Sequence, residues 1–338
     1  MDVLSDVLRV VRLTGSIFFT ADLGDPFSVA SPGSETILRY MPQKAECVSL
    51  FHIITKGKCW FEPADGKPFL LRKGSVIIFP HSCAHNMFSD RSIRPVPLQK
   101  LLSMENILGL SDVKYGGEGT KTQFICGYLL CDQRFNPLLG AIPEVIVLTP
   151  VDEVGNKHPQ DGSLEEPRLP LVPDGWLDMT LRQLADEVRK KNVGSSTIVT
   201  RLTELMYIEV LRRYMQSLPE KSNGWLAALR DHEIGKALRL LHAHPGRKWN
   251  VEVLATEVGV SRSAFAQRFS NLIGESPMRY LTSWRMQVAK NLLLQPDLNL
   301  AMIAEKIGYD SDIAFNRAFK RYVGEPPAHW RNQMLSQA

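Results

Sequence analysis

Over the first 150 residues the apolar positions come in short runs divided by turn signals. The runs are "CVSLFHIIT", "GKCWFEP", "FLLRKGSVIIFP", "FICGYLLC" and "EVIVLTP", and the breaks are Gly57, "ADGKP" and "RKG". Runs of about five to eight residues at this spacing predict strands of a barrel or a two-sheet sandwich. Residues 151–175 are polar, hold four prolines and show no period, as a surface loop or flexible linker does. Residues 176–191 read as helical. A longer helix follows a cap at Ser195–Ser196 and runs to Pro219, with Ile198, Leu202, Leu205 and Met206 on one face. That stripe suits burial against the sheet, and a helix–helix dimer contact is the alternative. From Trp225 onward the period is helical throughout.

The helical part writes one small unit twice. Gly259 answers Gly308, Phe265 answers Phe315, Phe269 answers Phe319, Gly274 answers Gly324 and Pro277 answers Pro327. In the first copy Val251, Leu254, Ala255 and Val258 share a helical face. Gly259 stands where the chain must reverse, and Ser261 can cap the next helix. Phe265 and Phe269, four apart, point inward together. The pattern is helix, short turn, helix. It leaves Arg262, Ser263, Ala266 and Gln267 facing out near the helix start, with Arg268 on the flank. In the second copy Ile303, Ala304 and Ile307 face inward, and Asp310 or Ser311 is the cap. Ile313, Asn316 and Arg317 face out, followed by Lys320 and Arg321. Gln suits adenine, Arg suits guanine or phosphate, and Ala and Ile suit a thymine methyl; Asp312 suits cytosine or a capping role. Arg268, Lys320 and Arg321 are the expected phosphate contacts. One connecting helix between the copies sets two readers near the spacing of one DNA turn. The two outward sets differ, so an asymmetric site is expected.

Composition changes this picture little. Of 338 residues 44% are apolar and 22% charged, ordinary for a globular chain. The first residues lack the pattern of a signal peptide, and no apolar run is long enough to span a membrane, so a cytoplasmic protein without membrane partners is expected. Charge placement says more. From Gly246 to the end there are twelve Lys and Arg against eight Asp and Glu, a surplus that equals the net charge of the whole chain, +4. A basic segment on a neutral body points to a polyanion. The five cysteines (Cys47, Cys59, Cys83, Cys126 and Cys131) form no CxxC pair, which argues against a zinc knuckle and fits a reducing compartment.

The segments "GVSRSAFAQRFSNLIGESPMRYLTSWRM" and "IAEKIGYDSDIAFNRAFKRYVGEPPAHWR" resemble the DNA-binding domain of AraC/XylS-family transcription regulators, and "FHIITKGKCWF…LRKGSVIIFPHSCAHNM" resembles a cupin-type sensor domain. The resemblance implies an α+β, two-domain protein: a cupin-like β-barrel plus helices, then an all-α double helix-turn-helix domain. The expected boundaries are 1–150 for the sensor, 151–175 for the loop, 176–222 for linking or dimerising helices, and 226–338 for the DNA reader, with its motifs at about 247–274 and 298–324. It implies promoter DNA, RNA polymerase and a small-molecule or redox effector as partners, and a homodimer. A cupin metal set is broken here: His52 has no neighbouring His, and Thr55, Lys56 and Gly57 stand where an acid is expected. That argues against a metal-dependent enzyme. His52, His81, Cys83 and His85 are still candidate ligands for a metal ion or an effector. Cys83 lies between two histidines and, with Cys126, is the redox candidate. Cys126 and Cys131, five apart on a strand, face opposite ways and do not pair. The third option is an organic ligand inside the barrel, lined by Cys59, Trp60 and Phe61.

Overall fold

The computed structural model describes residues 2–11, 14–39, 47–64, 66–102, 111–131, 139–151, 168–172, 175–220 and 222–336. The element order is α1 (Val3–Val11), β1 (Thr14–Gly24), β2 (Ser28–Ser31), α2 (Ser34–Leu38), β3 (Cys47–Lys56), β4 (Lys58–Pro63), β5 (Phe69–Arg72), β6 (Val76–Phe79), β7 (His85–Phe88), β8 (Val96–Pro97), β9 (Ser111–Gly116), β10 (Lys121–Cys131), β11 (Ile146–Pro150) and β12 (Arg168–Leu171), then α3 (Trp176–Lys190), α4 (Ser195–Ser217), α5 (Trp225–Arg230), α6 (His232–Ala243), α7 (Val251–Val258), α8 (Arg262–Ile273), α9 (Pro277–Leu293), α10 (Leu300–Lys306), α11 (Asp312–Val323) and α12 (Pro327–Leu335). Contacts divide them into a β unit, Arg12–Arg134 with Ile142–Ser217, and a helical unit, Met1–Val11 and Phe135–Ala141 with Leu218–Ala338.

The β unit has two sheets, ordered β12-β11-β6-β3-β10-β1-β9 and β5-β4-β7-β2-β8. Among the described residues their ladders do not join, so the expected barrel is an open two-sheet sandwich. The strands of the second sheet span two to six residues. One core, including Phe19, Phe27, Leu50, Phe61, Phe79 and Phe124, is shared by both sheets. Period-two alternation in β4 buries Cys59 and Phe61 and turns Trp60 outward, so Trp60 does not line the interior as expected. Gly127 pins the register of β10 on β3: it stands opposite Phe51, and a Cβ there would lie 2.0 Å from the Phe51 ring.

Helices α3 and α4 pack on each other, and α4 packs on β1, so residues expected as a linker belong to the β unit. The buried face of α4 is Val199, Thr203, Met206, Tyr207 and Val210. Ile198 and Leu205, expected on the buried face with Met206, are exposed. The sheet accepts Thr203 against Gly15, and that rotates the helix away from the larger aliphatic stripe. Of the expected loop 151–175, residues 152–167, 173 and 174 lie outside the described residues, while Arg168–Leu171 form β12, parallel to β11.

In the helical unit α1 packs on α6 and α9. Its apolar face of Val3, Leu4 and Val7 is buried, so by contacts these first residues group with the helical unit. The two copied units are α7–α8 and α10–α11. Their first helices start on matching caps: Asn250 Oδ1 accepts from Val253 N at 2.7 Å and Asn299 Oδ1 from Met302 N at 2.9 Å. Their second helices start on Ser261 and Ser311, whose Oγ atoms accept from Ala264 N and Ala314 N. Phe265, Phe269, Phe315 and Phe319 are completely buried.

Candidate functional site

The cap and the buried Phe pair fix the azimuth of α8 and α11, and with it what each offers outward. On α8 Arg262, Ser263 and Gln267 are exposed and Ala266 is half-buried; on α11 Ile313, Arg317, Lys320 and Arg321 are exposed and Asn316 is half-buried. Fifty residues apart, Ser263 stands where Ile313 does, Ala266 where Asn316 does and Gln267 where Arg317 does, so the two faces are unlike. Ile313 is 62% exposed, a large β-branched side chain left in water at the front of a helix. Asp312 Oδ1 accepts from Ile313 N at 2.9 Å, which turns the carboxylate to its own helix rather than outward. Ser311 is the cap, and Asp310 pairs with Lys248 at 3.0 Å.

Arg268 departs from expectation. Its guanidinium reaches Asp231 Oδ2 at 2.6 and 3.0 Å and Glu233 at 3.3 Å. Asp231 is the cap of α6, accepting from Glu233 N and Ile234 N through Oδ1. Although burial opposes it, hydrogen bonds from Ile234 N and Arg268 and the Arg268 charge hold this carboxyl below its ordinary range. Arg268 therefore braces α8 against α6, and the corresponding Ala318 of α11 is buried. Arg268→Ala is expected to lower thermal stability while leaving the salt dependence of DNA binding nearly unchanged. A drop of about one in the slope of log K against log salt would return it to the phosphate contacts.

Two arginines that the sequence did not single out fix the motifs in place. Arg285 of α9 donates from Nε to Pro245 O at 2.7 Å and from Nη2 to Arg247 O at 3.0 Å. Arg331 of α12 donates from the same two atoms to Leu293 O and Leu298 O at 2.6 and 2.7 Å. Each fork clasps the loop ahead of one copy. The Arg285 fork also ties the copies together. A Cβ on Gly308, whose φ is +82°, would lie 2.5 Å from Gly246 O and 2.6 Å from Arg285 Nη2. The turn of the second copy thus rests on the loop that opens the first, and glycine alone fits there.

The β unit gathers a second cluster. Register sets Cys126 of β10 opposite His52 of β3, and Ser31 of β2 opposite His85 of β7. Cys126 Sγ lies against His52 Nδ1, His52 Nε2 is 3.0 Å from His85 Nε2, and His85 Nδ1 is 3.0 Å from Cys83 O. Both rings sit among aromatics; Phe79 stacks on His85 with centroids 4.4 Å apart. Burial drives His85 down to about 4. Burial, then the neighbouring His85, lowers His52, and burial raises Cys126. All three groups are neutral at pH 7, and the proton positions follow. A carbonyl only accepts, so His85 Nδ1 carries hydrogen and Nε2 accepts. His52 Nε2 then donates, its Nδ1 accepts, and the Cys126 thiol is the donor.

Of the sequence candidates, His52 and His85 meet. Cys83 contributes its carbonyl oxygen, and His81 lies on Ile142 O at 3.2 Å. The expected set of His52, His81, Cys83 and His85 is not brought together as metal ligands, because His81 turns away on its own loop. Among the described residues no group of three or more His, Cys, Asp or Glu is placed to hold a metal. The relay instead consumes both Nε2 atoms in each other. The side chain of Cys131 lies outside the described residues. Cys126 was found in sequence only as a redox candidate; its partner lies on another strand, and only the β3–β10 register reveals it.

Because both imidazoles titrate below the ordinary 6.5, the unfolded chain binds more protons than the fold once pH falls under that value. Their contribution is present above about 6.5 and is lost as pH falls, that of His85 toward about 4. Urea denaturation of the β unit should show this decline, and His85→Gln should flatten it; an unchanged slope would remove the pair from the acid response.

Residues 2–166 and 167–216 match a cupin family, and residues 254–333 match a helix-turn-helix domain family. The chain is 30% identical over 302 residues to the HTH-type transcriptional regulator AlkR of Acinetobacter baylyi, covering 86% of this chain and 89% of that protein. It is 27% identical to a putative AraC-like transcription regulator of Streptomyces lividans over 98% of both chains. Among solved structures, the DNA-binding domain of AdpA in complex with a target DNA matches 30% of this chain and 92% of its own at 29% identity, with a TM-score of 0.29.

Proposed function

The chain belongs to the AraC-type helix-turn-helix transcription regulators that carry an N-terminal cupin domain, and from that premise we propose that α8 and α11 read successive major-groove segments of one asymmetric DNA site. The observation that carries this reading is the Gly308 turn packed on the loop at Gly246 beside the Arg285 fork. It holds two unlike recognition faces at one spacing. The 17 residues of α9 give a rod of roughly 25 Å, below but near the ~34 Å of one DNA turn. Arg262, Ser263, Ala266 and Gln267 face the bases from α8, and Ile313, Asn316 and Arg317 from α11. Lys320 and Arg321 neutralise phosphates. Arg317 is the strongest single reader, since a guanidinium grips guanine O6 and N7 together.

Arg317→Ala should cost about 1–3 kcal/mol on the preferred site and relax choice at one base pair. Arg321→Ala should weaken all sequences alike and reduce the salt slope by about one. Binding measured on the preferred site and on single-base variants at several salt concentrations separates the two. Uniform loss for Arg317→Ala would make it a phosphate contact.

The β unit serves as the effector sensor, through the cleft beside His52 and Cys126. The exposed stripe of Ile198 and Leu205 on α4 supports a homodimer contact. The protein acts in the cytoplasm on promoter DNA, where it meets RNA polymerase.

A further inference from the structure

We infer that the cleft over Cys126 is a covalent capture site for a small planar electrophile of the α,β-unsaturated carbonyl class, with Cys126 as nucleophile and His52 as the base that takes its proton. The chemistry stands on the cleft alone; its regulatory consequence rests on the reading of the β unit as sensor.

Three observations converge. First, Cys126 and His52 both line the cleft, and the thiol points its hydrogen at an imidazole nitrogen whose tautomer is fixed from behind by His85 and Cys83 O. Nucleophile, base and orienting group form the arrangement that activates thiols for attack. Second, Ser31 Oγ also lines the cleft and is buried with no hydrogen-bond partner among the described residues. A lone buried hydroxyl calls for an acceptor, and a carbonyl oxygen supplies one. Third, apart from Gln99 the remaining walls are apolar, with Phe18, Phe19, Ile37, Leu50 and Leu98. The room is small, with about 30 Å³ open to the centre of a water molecule, which favours a compact ligand over a branched one.

The step balances without an oxidant. Cys126 Sγ bonds to the β-carbon while its proton moves to His52 Nδ1. The double-bond electrons shift toward the carbonyl, whose oxygen takes the Ser31 hydrogen bond. His52 then returns the proton to the α-carbon, leaving a neutral thioether, and the reverse sequence releases the ligand. His85 is a positioning residue. Cys59 is an internal comparison: it is buried, held up to about 12, and has no imidazole partner among the described residues.

The test treats the full-length protein with 2-cyclohexen-1-one, and with cyclohexanone as the saturated control, and maps adducts by peptide mass. The expected result is one enone adduct, on Cys126, ahead of Cys47, Cys59, Cys83 and Cys131. Its rate should be nearly flat between pH 6.5 and 8.5, because thiol and base are both neutral and, among the described residues, no carboxylate, lysine or arginine lines the cleft. A free thiolate mechanism instead gains ~tenfold per pH unit below the thiol pKa. His52→Gln should slow the adduct by ~100-fold. Ser31→Ala, a milder change that spares the core, should slow it about tenfold or more. Reaction at Cys126 no faster than at Cys83, or rates untouched in both variants, would overturn the proposal. DNA affinity is read in the same samples. An adduct on Cys126 that leaves DNA affinity unchanged keeps the capture site and removes the sensor reading. An enone-dependent change in affinity with Cys126 unmodified does the reverse.

Discussion

Phe315→Ala is expected to cost the helical unit about 3–5 kcal/mol and to erase recognition by α11. Phe315 is completely buried in the core of the second copy, between Tyr309 at 6.0 Å and Phe319 at 5.6 Å. Removing the ring takes away the anchor that sets the azimuth of α11, so Ile313, Asn316 and Arg317 lose their common direction. Selection from a random duplex library should then return sites keeping only the α8 half, while urea denaturation reports the stability loss. A loss under about 1 kcal/mol, or an intact two-part site, would show that α11 is held by something other than its Phe pair.

Arg285→Ala has the next largest expected effect. The side chain makes two charge-assisted bonds to Pro245 O and Arg247 O, together worth about 3 kcal/mol. It also stands at the contact between the two copies. The variant should be less stable and should accept half-sites at more than one spacing. Arg285→Lys should recover little, because an ammonium cannot bridge two carbonyls as the planar fork does. Unchanged spacing preference in Arg285→Ala would move the fixed geometry to α9 alone.

Local features of the helical part were legible in sequence, and features made by distant pairs were not. Phe265, Phe269, Phe315 and Phe319 announce their faces by spacing within one helix. Ser261, and Ser311 with Asp310 as its alternative, announce the caps of α8 and α11. Arg268 reads as a phosphate contact until Asp231, 37 residues earlier, is seen to hold it. The Arg285 and Arg331 forks bind carbonyl groups, which carry no side-chain signature. In the β unit the runs over β3, β4, β5, β6, β10 and β11 were legible, while the other strands and the register were not, and register makes the relay of Cys126, His52 and His85. Thr203 was overlooked on α4 because a polar residue does not signal burial, yet it lies in the interface with β1.

The central claim is that one chain holds two unlike readers at a fixed spacing. The most direct measurement is hydroxyl-radical footprinting of the full-length protein on duplexes selected from a random library. The account predicts two protected segments on one face of the DNA, centred about one turn apart and different in sequence, with Arg317→Ala relaxing choice in one of them only. A single protected segment, or two identical halves whose spacing varies from duplex to duplex, would contradict it.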